Sequence, residues 1–176
     1  EYGRLGCGFP MSLPIITAAR INGSLFKYLE EEMGRRNARK LAFYLLYQYD
    51  FAEDAVGEIE SRYDEIRDTF FEENAEEMND DDRKYVLGTT NGVLEHMAEI
   101  DSMLDSYAKG WTVERMSKVD KAILRLAAYE IKYSADVPDG VAVNEAVELA
   151  KTYSADEAPA FINGILGKVV ESVGNN

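Results

Sequence analysis

The chain of 176 residues contains a single cysteine, Cys7, and a single histidine, His96. One cysteine cannot form an internal disulfide, and a zinc site built from thiolates or imidazoles needs several such ligands. No apolar run approaches the roughly 20 residues that span a bilayer, and no clear secretory signal is present. We therefore expect a reduced, soluble, cytoplasmic protein that has no metal, no cofactor and no catalytic cysteine–histidine pair.

Basic residues are scarce, since 19 Lys and Arg face 33 Asp and Glu and the formal net charge is −14. This balance excludes a protein that coats nucleic acid through bulk charge, so any contact with a polyanion must come from a local basic patch. One such cluster stands out on one side of a helix, away from its apolar stripe: Arg35, Arg36, Arg39 and Lys40.

The pattern places this cluster in the first turns of its helix, where the helix dipole makes each cation cost roughly 0.3–1 kcal/mol. Binding of a polyanion would explain why basic residues occupy such positions. The alternative is a solvated cluster that answers the chain's own acidic excess.

Residues 1–23 show neither a helical nor a strand period. A run of glutamates, Glu30 to Glu32, stands directly before Met33 and resembles a translated ribosome-binding site. We expect residues 1–32 to be a non-native or flexible leader and residues 33–176 to form the functional domain. A genuine flexible arm is the alternative.

From residue 35 onward the apolar residues recur at steps of three and four, which is typical of amphipathic helices. The predicted segments are 35–50, 58–77, a long helix from about 79 to Gly110 with His96 on its buried face, a central helix that opens with a capping box at Ser117 and Asp120, 141–153 and 157–173. We therefore predict an all-α fold of about seven helices in two small packed bundles, residues 33–109 and 110–176.

Four groups of motifs occur in an order and spacing that identify a family. They are Arg35-Arg36-Asn37-Ala38-Arg39 leading into Leu46-Tyr47-Gln48; Trp111-x-x-x-Arg115-Met116 followed by Val119-Asp120-Lys121-Ala122-Ile123-Leu124-Arg125-Leu126; Val137-Pro138 before Val141-Ala142-Val143-Asn144-Glu145-Ala146; and Phe161-Ile162-Asn163-Gly164-Ile165-Leu166. In this order and spacing the chain resembles the NusB transcription antitermination family over residues 34–172.

The resemblance implies two packed helical bundles and a role that is not enzymatic. Members of the family bind the boxA element of nascent ribosomal RNA leader transcripts, as single-stranded RNA, together with the ribosomal protein called NusE. The assembly helps RNA polymerase and other antitermination factors to pass termination signals, and it assists rRNA maturation.

The resemblance also implies roles for individual residues. RNA phosphates would be bound by Arg35, Arg36, Arg39 and Lys40, with further RNA contacts from Lys121, Phe161 and Asn163. NusE would be bound by Tyr47, Tyr107, Glu114 and Asp120. Asn37 departs from the longer arginine runs of some relatives, which removes one charge from the RNA-binding cluster.

Three alternatives compete with this interpretation, and we expect the first of them not to apply. A NusB-like domain also begins certain rRNA cytosine methyltransferases, but those chains continue into a large catalytic domain and we expect none here. A homodimer that hides the arginine-rich face is the second, and a helical adaptor without RNA binding is the third.

Overall fold

The computed structural model describes residues 23–53, 59–108 and 110–174. These ranges are all-α, with seven α-helices, two short 3-10 turns and no strand, which confirms the predicted fold class and helix number. The α-helices are α1 (Gly23–Glu53), α2 (Ile59–Glu73), α3 (Asp80–Glu95), α4 (Met97–Tyr107), α5 (Lys118–Tyr133), α6 (Asp139–Tyr153) and α7 (Ala158–Val173). The first 22 residues of the predicted leader lie outside the described part of the chain.

Helix α1 begins much earlier than the sequence predicted. It starts at Gly23, so Arg35 lies twelve positions inside the helix rather than in its first turn. The prediction that the basic cluster opposes the helix dipole is therefore wrong, because that effect falls off within the first turn. Leucine, glutamate and methionine between residues 28 and 33 are good helix formers, and they extend α1 upstream without needing an apolar stripe.

The predicted long helix is broken at His96, between α3 and α4. His96 has φ −103° and ψ 12°, outside the α-helical region, and its imidazole is half-buried rather than in the core. The ring stacks on Tyr133 of α5 with 4.1 Å between ring centroids. Packing against α5 thus explains the position of His96 better than the predicted core role does.

Helix α5 is the centre of the molecule, as its apolar sequence indicated. The hydroxyl of Ser117 accepts a hydrogen bond from the backbone N–H of Asp120 at 3.0 Å and caps the first turn. Nine of the sixteen α5 residues are buried, and the helix packs against α1, α3, α4, α6 and α7. Because α1 and α6 both pack against α5, their surface residues are held in a fixed relation to one another.

A single hydrophobic cluster runs through the described helices. Fully buried leucines and isoleucines from α1, α4, α5 and α7 meet in it, including Leu41, Leu45, Ile100, Leu124 and Ile162. Each such side chain stabilises the fold by roughly 1.5–3 kcal/mol through burial. No helix in the described residues is long and apolar enough to cross a membrane. The boundary between the two predicted bundles, at residues 109 and 110, stays a prediction.

Candidate nucleic-acid interface

Three of the four clustered basic residues reach the surface of α1. Arg35 is exposed, and the side chain of Arg36 is 61% exposed. Lys40 is half-buried, and its ammonium nitrogen lies 6.0 Å from the centroid of the Tyr44 ring. These three cations form a basic edge on a chain whose overall charge is strongly negative. We call them the α1 basic edge.

Arg39, by contrast, faces inward, which corrects its predicted role as a phosphate ligand. The residue is 4% exposed, and its guanidinium donates three hydrogen bonds of 2.9–3.1 Å to the carboxylate of Glu130 in α5. Burial alone would lower the pKa of Arg39, but the hydrogen bonds and charge of Glu130 outweigh it and raise the pKa. A buried arginine that is paired in this way serves the fold and is not exposed to bind a phosphate.

Two glutamates organise the interior of this region. Glu130 is 1% exposed and also accepts a hydrogen bond of 2.6 Å from the Tyr85 hydroxyl. Burial, followed by the charge of Glu130, raises the pKa of Tyr85 far above its ordinary value, so Tyr85 stays a donor. Glu145 of α6 lies 3.7 Å from the Arg39 guanidinium and also binds Arg36.

Glu145 connects the buried ion pairs to the surface. Its carboxylate accepts hydrogen bonds from Arg36 Nε at 3.0 and 3.2 Å, and Arg36 Nη2 lies 3.0 Å from the same carboxylate. The Glu145 side chain is only 10% exposed, so its position is set by packing. This contact fixes the orientation of the Arg36 guanidinium before any ligand binds.

Lys121 is also less available than the sequence predicted. Its side chain is 13% exposed, and its ammonium lies 3.1 Å from the carboxylate of Asp50, which is 2% exposed. Lys118 and Arg125 bind the same carboxylate at 3.0 and 3.3 Å. Lys121 therefore neutralises a buried acid, and its assignment to RNA stays a prediction.

Sequence reasoning missed this Asp50 centre, although two signals were present. Asp50 stands four residues after Leu46 on the apolar stripe of α1, where an acid must find a partner. The three cations on α5 recur at steps of three and four and so share one face. The spacing was visible in the sequence, but the contact between α1 and α5 was not.

The two remaining RNA candidates lie on α7. Asn163 is exposed and sits inside the helix rather than at its cap. Phe161 is half-buried, and its ring centroid lies 6.4 Å from that of Trp111, which is 52% exposed. The guanidinium of Arg115 lies 5.8 Å from the centroid of the same indole. The sequence analysis did not predict Trp111 as a binding residue, and its exposure makes it part of this aromatic surface.

Two of the four predicted partner residues lie near the beginning of α5. Tyr47 packs edge-on against Phe51, which is 50% exposed and lies below the ammonium of Lys118 at 4.7 Å. Asp120 accepts hydrogen bonds from Ser117 at 2.8 Å and from Ser154 at 2.6 Å. Asp120 thus connects the start of α5 to the end of α6 and stabilises the fold, whether or not it also contacts a partner.

The other two partner candidates precede α5. Glu114 is exposed in the 3-10 turn Val113–Arg115. Tyr107 is half-buried at the end of α4, and its carbonyl oxygen lies 3.4 Å from the ammonium of Lys168 in α7. Phe51 was missed by the sequence analysis, and an aromatic residue that closes the α1 stripe was the available signal.

The described ranges contain no group of three or more His, Cys, Asp or Glu side chains that could hold a metal ion. The chemistry that the exposed residues offer is recognition. Guanidinium and ammonium groups bind phosphates, and exposed rings stack on bases or pack against a protein.

The sequence profile of the NusB family matches residues 36–171 of this chain. The chain belongs to the NusB family. Transcription antitermination protein NusB of Acetivibrio thermocellus is 47% identical over 139 residues, which cover 79% of this chain and 90% of the relative. The protein of the same name from Symbiobacterium thermophilum is 45% identical over 148 residues, covering 80% and 92%. These matches confirm the resemblance inferred from the motifs.

Solved structures of the family share this arrangement of helices. A structure of T. maritima NusB superposes with a TM-score of 0.66 at 31% identity, covering 78% of this chain and 90% of that one. A crystal structure of the antitermination factors NusB and NusE in complex with double-stranded RNA gives a TM-score of 0.65 at 25% identity, covering 80% and 98%.

Proposed function

We propose that this chain is an antitermination factor that binds the boxA element of nascent ribosomal RNA leader transcripts together with NusE. The observation that carries the proposal is the α1 basic edge, a set of cations at the surface of a chain of net charge −14. The names of the relatives and the complex of NusB and NusE with RNA support the same role.

We assign phosphate binding to Arg35, Arg36 and Lys40 because they reach the surface, whereas the side chains of Arg39 and Lys121 are only 5% and 13% exposed. Among the three, Arg36 has a guanidinium whose orientation is already fixed, because it donates hydrogen bonds to Glu145. Phe161, Trp111 and Asn163 would offer rings and an amide to unpaired bases.

NusE would dock at the beginning of α5, where Tyr47, Phe51, Glu114 and Asp120 supply rings and acids. A basic ribosomal protein fits this chemistry, because acidic groups attract it and exposed rings give it apolar surface to cover. Tyr107 stays a weaker candidate at the end of α4. RNA polymerase and other antitermination factors would be reached indirectly, through the assembled complex.

The proposal describes a binding protein of the bacterial cytoplasm rather than an enzyme. Transcription antitermination is the activity named for the relatives, and it requires recognition of RNA and protein rather than bond chemistry. A homodimer that covers the α1 basic edge stays an alternative, and sedimentation of the chain with and without RNA would test it.

The test is a titration of a boxA-containing RNA at increasing salt. Three neutralised phosphates predict that log affinity falls with log salt at a slope of about −2, since each contributes about −0.7 on a single strand. Arg36→Ala should reduce the slope by about 0.7 units. Arg67→Ala is the matched control, because Arg67 pairs with Asp64 and Asp68 on α2, outside the basic edge. A slope near zero in the unaltered chain would contradict phosphate binding.

Partner binding is tested separately with Glu114→Lys. Glu114 is exposed, so its replacement should leave the melting temperature unchanged while it weakens NusE binding several-fold through lost attraction and new repulsion. Asp120→Lys is a poorer variant because Asp120 also accepts the Ser117 and Ser154 hydroxyls. Equal NusE affinity for Glu114→Lys and the unaltered chain would remove Glu114 from the partner surface.

A further inference from the structure

A small cleft lies between α1 and α6, beside the α1 basic edge. Its volume is about 250 Å³, and the residues that matter for its chemistry are Arg36, Lys40, Glu145, Glu148 and Tyr153. The two cations stand on α1, and the two acids and the tyrosine stand on α6. A cleft of this size holds one planar heterocycle rather than a peptide segment.

Tyr153 lines the cleft with an aromatic ring whose position is fixed by contacts with two rings of α1. Its ring centroid lies 5.3 Å from that of the buried Phe43, and it meets the Tyr44 ring edge-on at 5.7 Å. The hydroxyls of Tyr44 and Tyr153 are 2.7 Å apart and share a hydrogen bond. Tyr153 nevertheless remains 37% exposed, so a fixed ring is presented to the solvent at the last turn of α6.

The charges around the cleft give a ligand a direction. Arg36 and Lys40 on the α1 side attract phosphates. Glu145 and Glu148 on the α6 side repel phosphates but accept hydrogen bonds from the N–H groups of a base. Glu148 is ionised, because its hydrogen bond with Lys151 lowers its pKa below the ordinary value. An anion alone is therefore disfavoured deep in the cleft, whereas a base there and its phosphate on the α1 side satisfy both halves.

We propose that this cleft binds one unpaired RNA nucleotide, with its base stacked on Tyr153 and its phosphate on Arg36 and Lys40. The inference rests on the proposed RNA-binding function and adds a base-binding subsite to it. It also explains why Arg36 is fixed by Glu145: the guanidinium then borders the base and the phosphate at once.

A second, larger cleft is the main competitor for such a base. It encloses about 890 Å³ between α1, α3 and α5, and Tyr133 and Arg35 line it. Three aspartates, Asp81, Asp82 and Asp136, line the same cleft and face Arg35, Arg39 and Lys84 as its cations. Since Arg39 is already neutralised by Glu130, three acids remain against two cations there. The larger cleft therefore binds a polyanion less favourably.

The experiment combines ring replacement with an abasic scan of the RNA. Tyr153→Leu should weaken binding of a boxA-containing RNA roughly tenfold, which is what a stacked base contributes, whereas Tyr153→Phe keeps the ring and should keep the affinity. Tyr133→Leu is the matched control in the competing cleft and should bind RNA as the unaltered chain does. Melting curves of the variants verify that each is folded at the temperature of the titration.

Single abasic nucleotides placed along the RNA then locate the stacked base. One position should cost the unaltered chain about tenfold and cost Tyr153→Leu almost nothing more, because ring and base act as one pair in a double-mutant cycle. The subsite would be overturned if Tyr153→Leu bound RNA as tightly as the unaltered chain, or if the losses were additive at every abasic position. A salt slope of about −2 would uphold RNA binding even in that case. Loss of affinity in Tyr133→Leu alone would move the base to the larger cleft, and loss of both slope and binding would overturn the proposed function as well.

Discussion

Two neighbouring arginines of α1 should respond in opposite ways to replacement. Arg39→Met removes one partner of a buried ion pair and leaves the Glu130 carboxylate, which is 1% exposed, with the Tyr85 hydroxyl as its remaining donor among the contacts described above. Breaking such a pair costs about 3–5 kcal/mol. For a chain of this size that loss lowers the melting temperature by about 10–15 °C.

Arg36→Ala should lower stability by only about 1 kcal/mol, because Arg36 is 61% exposed and Glu145 keeps the Arg39 guanidinium 3.7 Å from its carboxylate. Its effect should fall on RNA instead, as a weaker and less salt-dependent affinity. Arg39→Met, measured well below its melting temperature, should bind RNA within about twofold of the unaltered chain, since it removes no phosphate contact from the surface.

Thermal and urea unfolding measure the stability of each variant. Titration with RNA at two salt concentrations measures its RNA affinity and the salt dependence of that affinity. Adding Glu130→Gln to Arg39→Met should recover part of the lost stability, because no uncompensated charge then stays buried. The reasoning would be refuted if Arg39→Met melted like the unaltered chain and lost RNA affinity, since Arg39 would then be a surface ligand.

Two further predictions concern buried groups. Asp50→Ala should lower stability by about 3 kcal/mol and shift the urea midpoint down, because Lys118, Lys121 and Arg125 lose the carboxylate they share; an unchanged midpoint would show that solvent screens these cations. Burial raises the pKa of Tyr49 to about 12, from about 10 in an unfolded chain. The folded state thus holds this proton more tightly, so the stabilisation is complete below pH 10 and is lost as the pH rises toward 12. Tyr49→Phe should flatten the fall in melting temperature between about pH 10 and pH 12, while Tyr85 keeps a share of it; identical pH profiles would contradict the assignment.

The helices were predictable because their signals are local. Apolar steps of three and four placed them, and the Ser117 side chain caps the first turn of α5 as expected. The start of α1 was missed because the glutamate run before Met33 was interpreted as part of a leader, although several residues between 23 and 32 are good helix formers. The break at His96 was missed because it depends on stacking against Tyr133, 37 residues further along the chain.

The roles of the basic residues were harder to predict, because they depend on distant partners. Glu130 lies 91 residues after Arg39, and Glu145 lies 109 residues after Arg36. A helical wheel places all four clustered cations on one side of α1, but Arg39 borders the apolar stripe, three positions before Ala42 and seven before Leu46. That proximity was the available signal that Arg39 turns inward.

The acidic composition and the basic edge are parts of one arrangement. Buried Glu130 and Asp50 each bind cations that would otherwise extend the positive surface, and in the described part of the chain the α1 basic edge is the cluster that we propose meets a polyanion. Elsewhere the excess of acids repels RNA, and salt limits that repulsion to about 8 Å at physiological strength. In the proposed function RNA would therefore bind on the side where Arg36 and Tyr153 stand, and a basic partner near the start of α5 would enlarge the surface available to it. By linkage, RNA must then tighten the binding of that partner by the same factor as the partner tightens the binding of RNA.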